Sequence, residues 1–405
     1  MAVVGAGAAG TMAAIFAAAG GAETILLERT RDGGRKILIS GGGRCNILPA
    51  RPDERRFVTD SSPNTLRKIL RTWPLLEQIG FFETELSLTL VEETETGKLF
   101  PASNRARDVR DGLLSLANRR GVRFLPSTRV TYVSPADGGW RIEIDGAPPL
   151  EVDRVILASG GLSVPSTGSD GGGLAIATAL GHTVHETYPA LTPVVAADSR
   201  YAALAGISLR VTIKAADLSR TSTATGGFLF THRGYSGPSV LDVSHVVTRS
   251  RLDRSNGARL TVQWSKLGDA GWDAALKPEG TRTVGGAVRR EMPERLADVL
   301  ANSAGIAPSR PLAQLTRDER LRLIGTLVRG ELPWTGDEGY KKAEVTGGGV
   351  SLGEIDPRTM ESRRRPGLFL CGEILDAFGP IGGYNFLWAW ATGRAAGEAA
   401  ARGSR

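Results

Sequence analysis

The sequence predicts an α/β protein: a Rossmann-like dinucleotide-binding domain assembled from both ends of the chain, with a strand-rich and then helical insertion between them. Three observations carry this. The chain opens on an unbroken apolar run, MAVV, that enters the glycine motif GAGAAG at 5–10. An alanine-rich stretch and a second apolar run, ETILLE, follow and end in Glu28, which completes half of a mononucleotide-binding βαβ unit. Apolar runs ending in glycine return at VILASGG (155–161) and again near the other end at GLFLCGE (367–373).

Taken in order, MAVV lacks polar alternation and reads as a central strand. TMAAIFAAAG is helix-prone until Gly20 and Gly21 stop it. The stretch 31–46, RDGGRKILISGGGRCN, reads as a loop with three consecutive glycines. Leu66, Ile69, Leu70, Leu75, Leu76 and Ile79 fall near a helical period, interrupted at Pro74. LTLVEE and TGKLFP suggest a hairpin, RARDVRDGLLSLANRR a helix ended by Gly121, and VRFLPSTRVTYVSPADGGWRIEI strands around the Asp137-Gly138 turn. Beyond Pro193 short β-rich pieces run to about residue 264, followed by a helical, charged stretch from about 281 to 330. The resulting division is 1–190 for the first part of the dinucleotide domain, 191–280 β-rich, 281–330 helical, 331–345 a return through the insertion, and 346–405 the second part of the dinucleotide domain.

Composition narrows the function classes. With 41% hydrophobic and 23% charged residues the chain of 405 residues is globular, and its 52 glycines cluster without a three-residue period. The two cysteines, Cys45 and Cys371, form no CxxC, which argues against a disulfide framework or a dithiol redox centre. His182 and His185 lie where a helix end passes into a strand, so a structural role is expected of them and no metal site. No run approaches the roughly 20 apolar residues of a membrane span, and no basic region precedes the first apolar run, so a soluble cytoplasmic protein is expected. The net charge of +7 rests mostly on scattered arginines, densest at Arg363, Arg364 and Arg365, where a solvated loop is the expectation. Without a basic stripe interleaved with aromatics, a nucleic-acid partner is not expected.

The chemistry begins at Gly5, Gly7 and Gly10. The first permits a tight turn, the second lets a pyrophosphate approach the backbone, and the third lets the helix pack on the sheet. The helix N-terminus then offers free N–H groups to the diphosphate. Glu28, 18 residues beyond Gly10, is placed to accept ribose hydroxyls and to repel a 2′-phosphate. Bringing residues 28–46 and 371–386 to one ligand calls for an extended dinucleotide with a large tricycle, which favours FAD over NAD. A helix starting near Gly383 would aim N–H groups at the flavin edge that gains charge on reduction. No second GxGxxG stands in strand and helix context, so NAD(P)H is expected only as a transient visitor.

The stretches GAGAAG, GRKILISGGGRCN (34–46), VILASGG, FLFTHRGYSGP (228–238), VTGGGVSLGEIDPRTMES (345–362) and GLFLCGE through GGYN (367–385) together resemble a bacterial family of NAD(P)/FAD-dependent oxidoreductases, also known as the aminoacetone oxidase family of FAD-binding enzymes. The resemblance implies a flavin domain interrupted by a β-barrel-like domain and a small helical domain. It implies that Gly5, Ala6, Gly10 and Glu28 hold the AMP half of FAD. Arg35, Lys36, Ser40, Gly41, Gly42, Arg44 and Asn46 would surround its central and flavin parts. Gly372 and Glu373 would meet the ribityl–phosphate region, and Gly383, Tyr384 and Asn385 would lie beside the pyrimidine ring. Gly7, Ala8, Ala9, Arg29, Val130, Ser159, Gly160 and Gly161 complete the expected cofactor-binding set. Leu387 departs from the family pattern, which commonly has glutamine there.

The expected function is therefore an FAD-dependent oxidoreductase acting on a small organic molecule, with hydride passing through flavin N5. Amine oxidation and enone-type reduction both stay open. His232 and Tyr384 are the candidates for proton transfer, with Arg233, Tyr235 and Asp376 beside them. Trp388 and Trp390 read as core. Two other classes stand beside this one: flavin-dependent RNA modification, and a non-catalytic protein whose FAD only completes the fold.

Overall fold

The computed structural model describes residues 1–196, 199–253, 257–278 and 280–402, and the chain divides into two compact units, Met1–Tyr188 with Val345–Arg405, and Pro189–Glu344.

The first unit is built on a five-stranded parallel sheet ordered Leu368–Leu370, Val155–Leu157, Ala2–Val4, Ile25–Leu27, Arg123–Leu125. Numbered along the chain this is 5-4-1-2-3, so the order reverses at the first strand. The crevice beyond the carboxyl ends of Ala2–Val4 and Val155–Leu157 is the switch point where such sheets bind nucleotides. Three strands, Ala2–Val4, Val155–Leu157 and Leu368–Leu370, are wholly buried, which is why their sequences show no polar alternation. An antiparallel meander, Val130–Ala136, Gly139–Ile144 and Ala147–Val152, fills the connection from the third strand to the fourth. The turn between its first two strands carries Gly138 at φ 75°. A smaller antiparallel sheet joins Leu48–Pro49, Lys98–Pro101 and Leu90–Glu93. The proline break separates helices Pro63–Leu70 and Leu75–Glu85.

Two helices pack by their smallest residues. The first, Ala8–Ala19, lies against the C-terminal helix Tyr384–Arg402. A methyl on Gly393 would come within 2.4 Å of Ala9 O, and one on Gly397 within 2.3 Å of Ala13 O. Glycines four residues apart thus let one backbone touch the other, holding the glycine turn at 5–7 in the crevice.

The second unit carries a seven-stranded antiparallel sheet, ordered Gly330–Glu331, Arg259–Gln263, Ser208–Ala216, Thr221–Thr231, Gly234–Ser236, Val194–Val195, Gly336–Asp337. A flat sheet of seven strands is about 29 Å across. Its two edge strands are linked by the chain from Glu331 to Gly336, which spans at most about 18 Å. The sheet must therefore curl until its edges approach, around a core of Phe228, Phe230, Tyr235 and Trp264. Four helices follow strand Arg259–Gln263: Asp269–Ala275, Val284–Val288, Glu294–Ser303 and Arg317–Arg329, the last opened by a reciprocal Thr316–Glu319 capping box.

The stretch 194–264 is not purely β. Pro238–Leu252 is a 15-residue helix packed on the sheet, with Val240, Val243, Val246 and Val247 buried. Valine-rich composition suggests a strand, but burial of one helical face outweighs that preference. No helix among the described residues is long and apolar enough to cross a membrane.

A candidate dinucleotide site in the first unit

Each glycine of GAGAAG has a distinct environment. Gly5 stands at φ 103°, and a methyl there would meet Ala158 O at 2.6 Å. At Gly10 a methyl would fall 1.9 Å from Gly5 O. Beside Gly7, by contrast, a methyl would have no atom within 4 Å. Two glycines are thus required by the protein's own packing, and the third leaves backbone open where a diphosphate would approach. Gly7 is also the N-cap of helix Ala8–Ala19; no side chain caps that end and no acidic residue lies in its first turn. Uncapped N–H groups at Ala8, Ala9 and Gly10 with the positive end of the helix dipole suit a phosphate.

Glu28 is buried at the end of the second strand. Its Oε2 accepts from Ala6 N–H at 2.8 Å, and its Oε1 accepts from Thr30 N–H and Thr30 Oγ1, both at 2.8 Å. A carboxylate offers about four acceptor positions, so these three bonds leave room for a further hydroxyl. Thr128 N–H donates to Glu28 O at 2.7 Å, which brings Val130, half-buried at the start of the meander, to the same end of the sheet.

The stretch after the second strand, expected to be a loop throughout, forms a short helix Arg35–Ile39 before its three consecutive glycines, and it meets the C-terminal segment through side chains. Lys36 Nζ donates to Glu373 Oε2 and, at 2.6 Å, to Ser163 Oγ. Ser163 Oγ in turn donates to Glu373 Oε1, which also accepts from Thr346 N–H at 3.0 Å. Thr346 Oγ1 takes the N–H groups of Leu162 and Ser163, and a methyl on Gly161 would collide with it. Four stretches far apart in sequence therefore meet at one carboxylate. Gly372, at φ 80°, brings that carboxylate's turn within contact of Ala9, beside the open helix end, and Trp388 Nε1 braces the turn by donating to Gly372 O. The neighbouring Ser159 Oγ is buried without a partner, and Gly160 stands at φ 74°.

Gly41, Gly42 and Gly43 occupy three successive left-handed positions, φ 55°, 67° and 85°, and are exposed, presenting bare backbone. Asn46 ties this loop to the C-terminal turn when its amide oxygen accepts from Gly383 N–H at 3.0 Å and its nitrogen donates to Leu48 O. Ser40 Oγ closes its own turn on Ile37 O.

Other members of the expected set are committed elsewhere. Arg44 pairs with Glu93 at 3.0 Å and stacks on Phe100, so its charge is drawn away from the glycines. Asn385 spends both amide atoms on Gly379, at 2.9 Å each, and braces its own loop. Arg29 is held by Asp170 and Gly168 O, and Arg35 by Asp32 and, at 3.4 Å, Ser166 O. Tyr384 is buried edge-on to Phe57, and its hydroxyl accepts from Asp53 N–H at 3.2 Å. Leu387 is buried in the helix. His232 sits exposed at the hairpin tip between Thr221–Thr231 and Gly234–Ser236, in the second unit, with Arg233 facing Glu338 at 3.8 Å. Asp376 is buried and accepts from Thr59 Oγ1, Asp60 N–H, Ser61 N–H and Ser61 Oγ, fixing the 59–61 segment. Trp390 Nε1 donates to Ile47 O inside the core.

A second hydrogen-bonded cluster joins His182 to the segment 354–365. His182 is buried, with Nδ1 donating to Glu354 Oε2 and Nε2 accepting from Ser362 Oγ, both at 2.9 Å. Burial holds its pKa below the ordinary histidine value despite the carboxylate. Glu354, although burial opposes it, is held down to about 2 by donors from Arg364, Thr183 and His182. The Arg363–Arg365 run is exposed and irregular, as expected of a solvated loop, with Arg364 donating to Glu354, Arg365 to Leu180 O and Arg363 to Ile355 O. Both cysteines are buried and free, and burial pushes the Cys45 thiol up to about 12. Ser163 and Asp170 carry no sequence signal of their own beyond following the glycine-terminated run 155–161, whereas Thr346 lies in the quoted stretch 345–362.

The parallel sheet and its glycine turn define a Rossmann-type protein. The chain belongs to the family described as HI0933-like protein Rossmann domain, whose model matches residues 1–399. It is 33% identical over 410 residues to 3-dehydro-bile acid delta(4,6)-reductase of Clostridium scindens, covering 98% of each chain. It is 30% identical over 397 residues to ribosomal RNA dihydrouridine synthase of Escherichia coli, covering 96% of this chain and 95% of that one. Among solved structures, 3-ketosteroid delta1-dehydrogenase of Sterolibacterium denitrificans shares the fold at a TM-score of 0.53 and 13% identity, covering 100% of this chain and 99% of that one.

Proposed function

We propose that the protein is an FAD-dependent reductase of a carbon–carbon double bond conjugated to a carbonyl, acting on a small organic substrate. The observation that carries the cofactor half of this reading is the meeting of Lys36, Ser163, Thr346 and Glu373 beside an uncapped helix whose Gly7 leaves its backbone clear. Gly7 to Gly10 would take the diphosphate, Glu28 the ribose, Glu373 the ribityl chain, and Gly41 to Gly43 the face of the ring. Bound flavin would supply two-electron hydride chemistry at N5. The substrate half rests on the relatives. A delta(4,6)-reductase of a 3-dehydro-bile acid and a dihydrouridine synthase both saturate a double bond in conjugation with a carbonyl.

The test is anaerobic reduction of the flavoprotein by NADH or NADPH, followed by a 3-oxo-Δ4 steroid. Bleaching by a nicotinamide and recovery on addition of the enone support the reading. A flavin that is bleached only by amines and recovers only with oxygen overturns it in favour of an oxidase.

A second reading is favoured by the synthase of Escherichia coli and the like-named one of Haemophilus influenzae, 30% identical over 398 residues. The uracil ring presents the same conjugated bond, and a net charge of +7 suits a polyanion. The sequence by itself pointed away from nucleic acid, and this reading reverses that expectation. Incubation with ribosomal RNA and NAD(P)H, read by mass spectrometry for a uridine that gains two hydrogens, decides between the substrates.

A further inference from the structure

We infer that Asp170 is a positioning residue of the dinucleotide site: through Arg29 it fastens the segment 163–170 as a strap over Glu28. The inference rests on the assignment of Glu28 to the ribose made above.

The strap begins where the fourth parallel strand ends and turns at Val164, which stands at φ 46° and ψ 68°. A β-branched residue in the left-handed region, next to a proline, does not hold that conformation by local preference. It persists only where the surroundings impose it. The base of the strap is closed by Gly171 N–H donating to Gly161 O at 3.1 Å, and three side-chain fastenings run along its length. Ser163, at the near end, is clasped between Lys36 and Glu373. In the middle, Arg35 Nη1 donates to Ser166 O at 3.4 Å. At the far end Arg29 donates to Gly168 O at 3.4 Å and pairs with Asp170, which also faces Arg129 at 3.9 Å. Gly168 consequently lies on the acid: a methyl there would be 3.6 Å from Glu28 Oε1 and 3.4 Å from Thr30 Cγ2.

The near clasp is largely shielded, whereas the side chains of Arg29 and Asp170 are each 36% exposed. An exposed ion pair contributes little to global stability and is screened by salt. It is nonetheless the side-chain tie at the far end of the segment that borders the ribose ligand, so weakening it raises the fraction of time the strap is open. The consequence falls on how fast the cofactor leaves, and hardly on how the protein melts.

The experiment is the rate of FAD release from the full-length holoprotein, followed by recovery of flavin fluorescence across a series of NaCl concentrations. We expect Asp170→Asn to release FAD about 2–5-fold faster at low salt, with an unchanged melting temperature for the apoprotein. Release from the unaltered protein should accelerate with salt, and Asp170→Asn should lose that dependence. Reversing the pair, Arg29→Asp with Asp170→Arg, should restore slow release. Equal release rates for the variant and the unaltered protein at low salt overturn the inference. So does a salt-independent rate for the unaltered protein, a measurement that needs no variant to fold. Glu28→Gln separates the two readings. If it binds FAD as the unaltered protein does, the ribose assignment fails and the strap falls with it. If it weakens FAD while Asp170→Asn does not speed release, the strap alone is wrong.

Discussion

At the scale of single residues, the glycine motif makes opposite demands at neighbouring positions, and substitution separates them. Gly10→Ala puts a methyl 1.9 Å from Gly5 O, so the helix must shift; we predict a loss of about 1–3 kcal/mol in a denaturation series. Gly7→Ala meets nothing within 4 Å and Gly7 has a φ of −76°, open to any residue. Its stability should stay within about 1 kcal/mol of the unaltered protein. Its FAD affinity, measured by fluorescence titration, should nevertheless fall by about tenfold or more, because the methyl occupies the surface a diphosphate needs. Lys36→Met tests the other side of the site. It leaves the Glu373 carboxylate and Ser163 without their cation in a half-buried setting, so stability should drop by about 1–2 kcal/mol and FAD should bind more weakly.

At the scale of elements, two joints hold the first unit together. The contact of Gly393 and Gly397 with the backbone of Ala8–Ala19 has no slack. Gly397→Leu should force the helices apart, costing about 3 kcal/mol or more and releasing FAD, since the glycine turn at 5–7 is carried on the displaced helix. The joint of His182, Glu354, Ser362 and Arg364 ties strand Val184–Ala190 to the segment 352–364 and carries a pH dependence. In the unfolded chain His182 binds its proton near 6.5 and Glu354 near 4.5, while the folded protein lowers both values. The unfolded state therefore takes up more protons on acidification, and stability present at neutral pH is lost below about 6.5, further through 4.5 and on toward about 2. Thermal denaturation followed from neutral to acidic pH should show this fall, and His182→Asn should flatten its upper part.

At the scale of the whole molecule, strands and turns were legible where a local rule governs them. MAVV, ETILLE, VILASGG and GLFLCGE each form a buried parallel strand, Pro74 breaks the helix it interrupts, and the Asp137-Gly138 turn joins two strands. These features follow from apolar periodicity, a missing amide hydrogen and a positive φ, all properties of a few adjacent residues. Helix Pro238–Leu252 was not legible, because valine prefers strands and only the neighbouring sheet makes its buried face worthwhile.

The candidate site divides along the same line. Gly5, Gly7, Gly10 and Glu28 are specified by spacing along one βαβ unit, so their arrangement is written in 24 consecutive residues. Arg29, Arg35, Arg44 and Asn385 show the limit of that kind of reading. Each lies in a motif that suggests cofactor contact, and each finds its partner in Asp170, Asp32, Glu93 or Gly379. Whether a cation faces a ligand or a carboxylate depends on which distant segment packs beside it. The cluster of Lys36, Ser163, Thr346 and Glu373 is likewise decided by folding alone: its members come from four segments separated by up to 337 positions and are joined because the sheet places 155–157 beside 368–370. Local chemistry thus determined the dinucleotide fingerprint and the strands that carry it. Only the tertiary structure, which sets the distances between charges remote in sequence, decided which polar side chains remain available to a cofactor and which are spent holding the protein together.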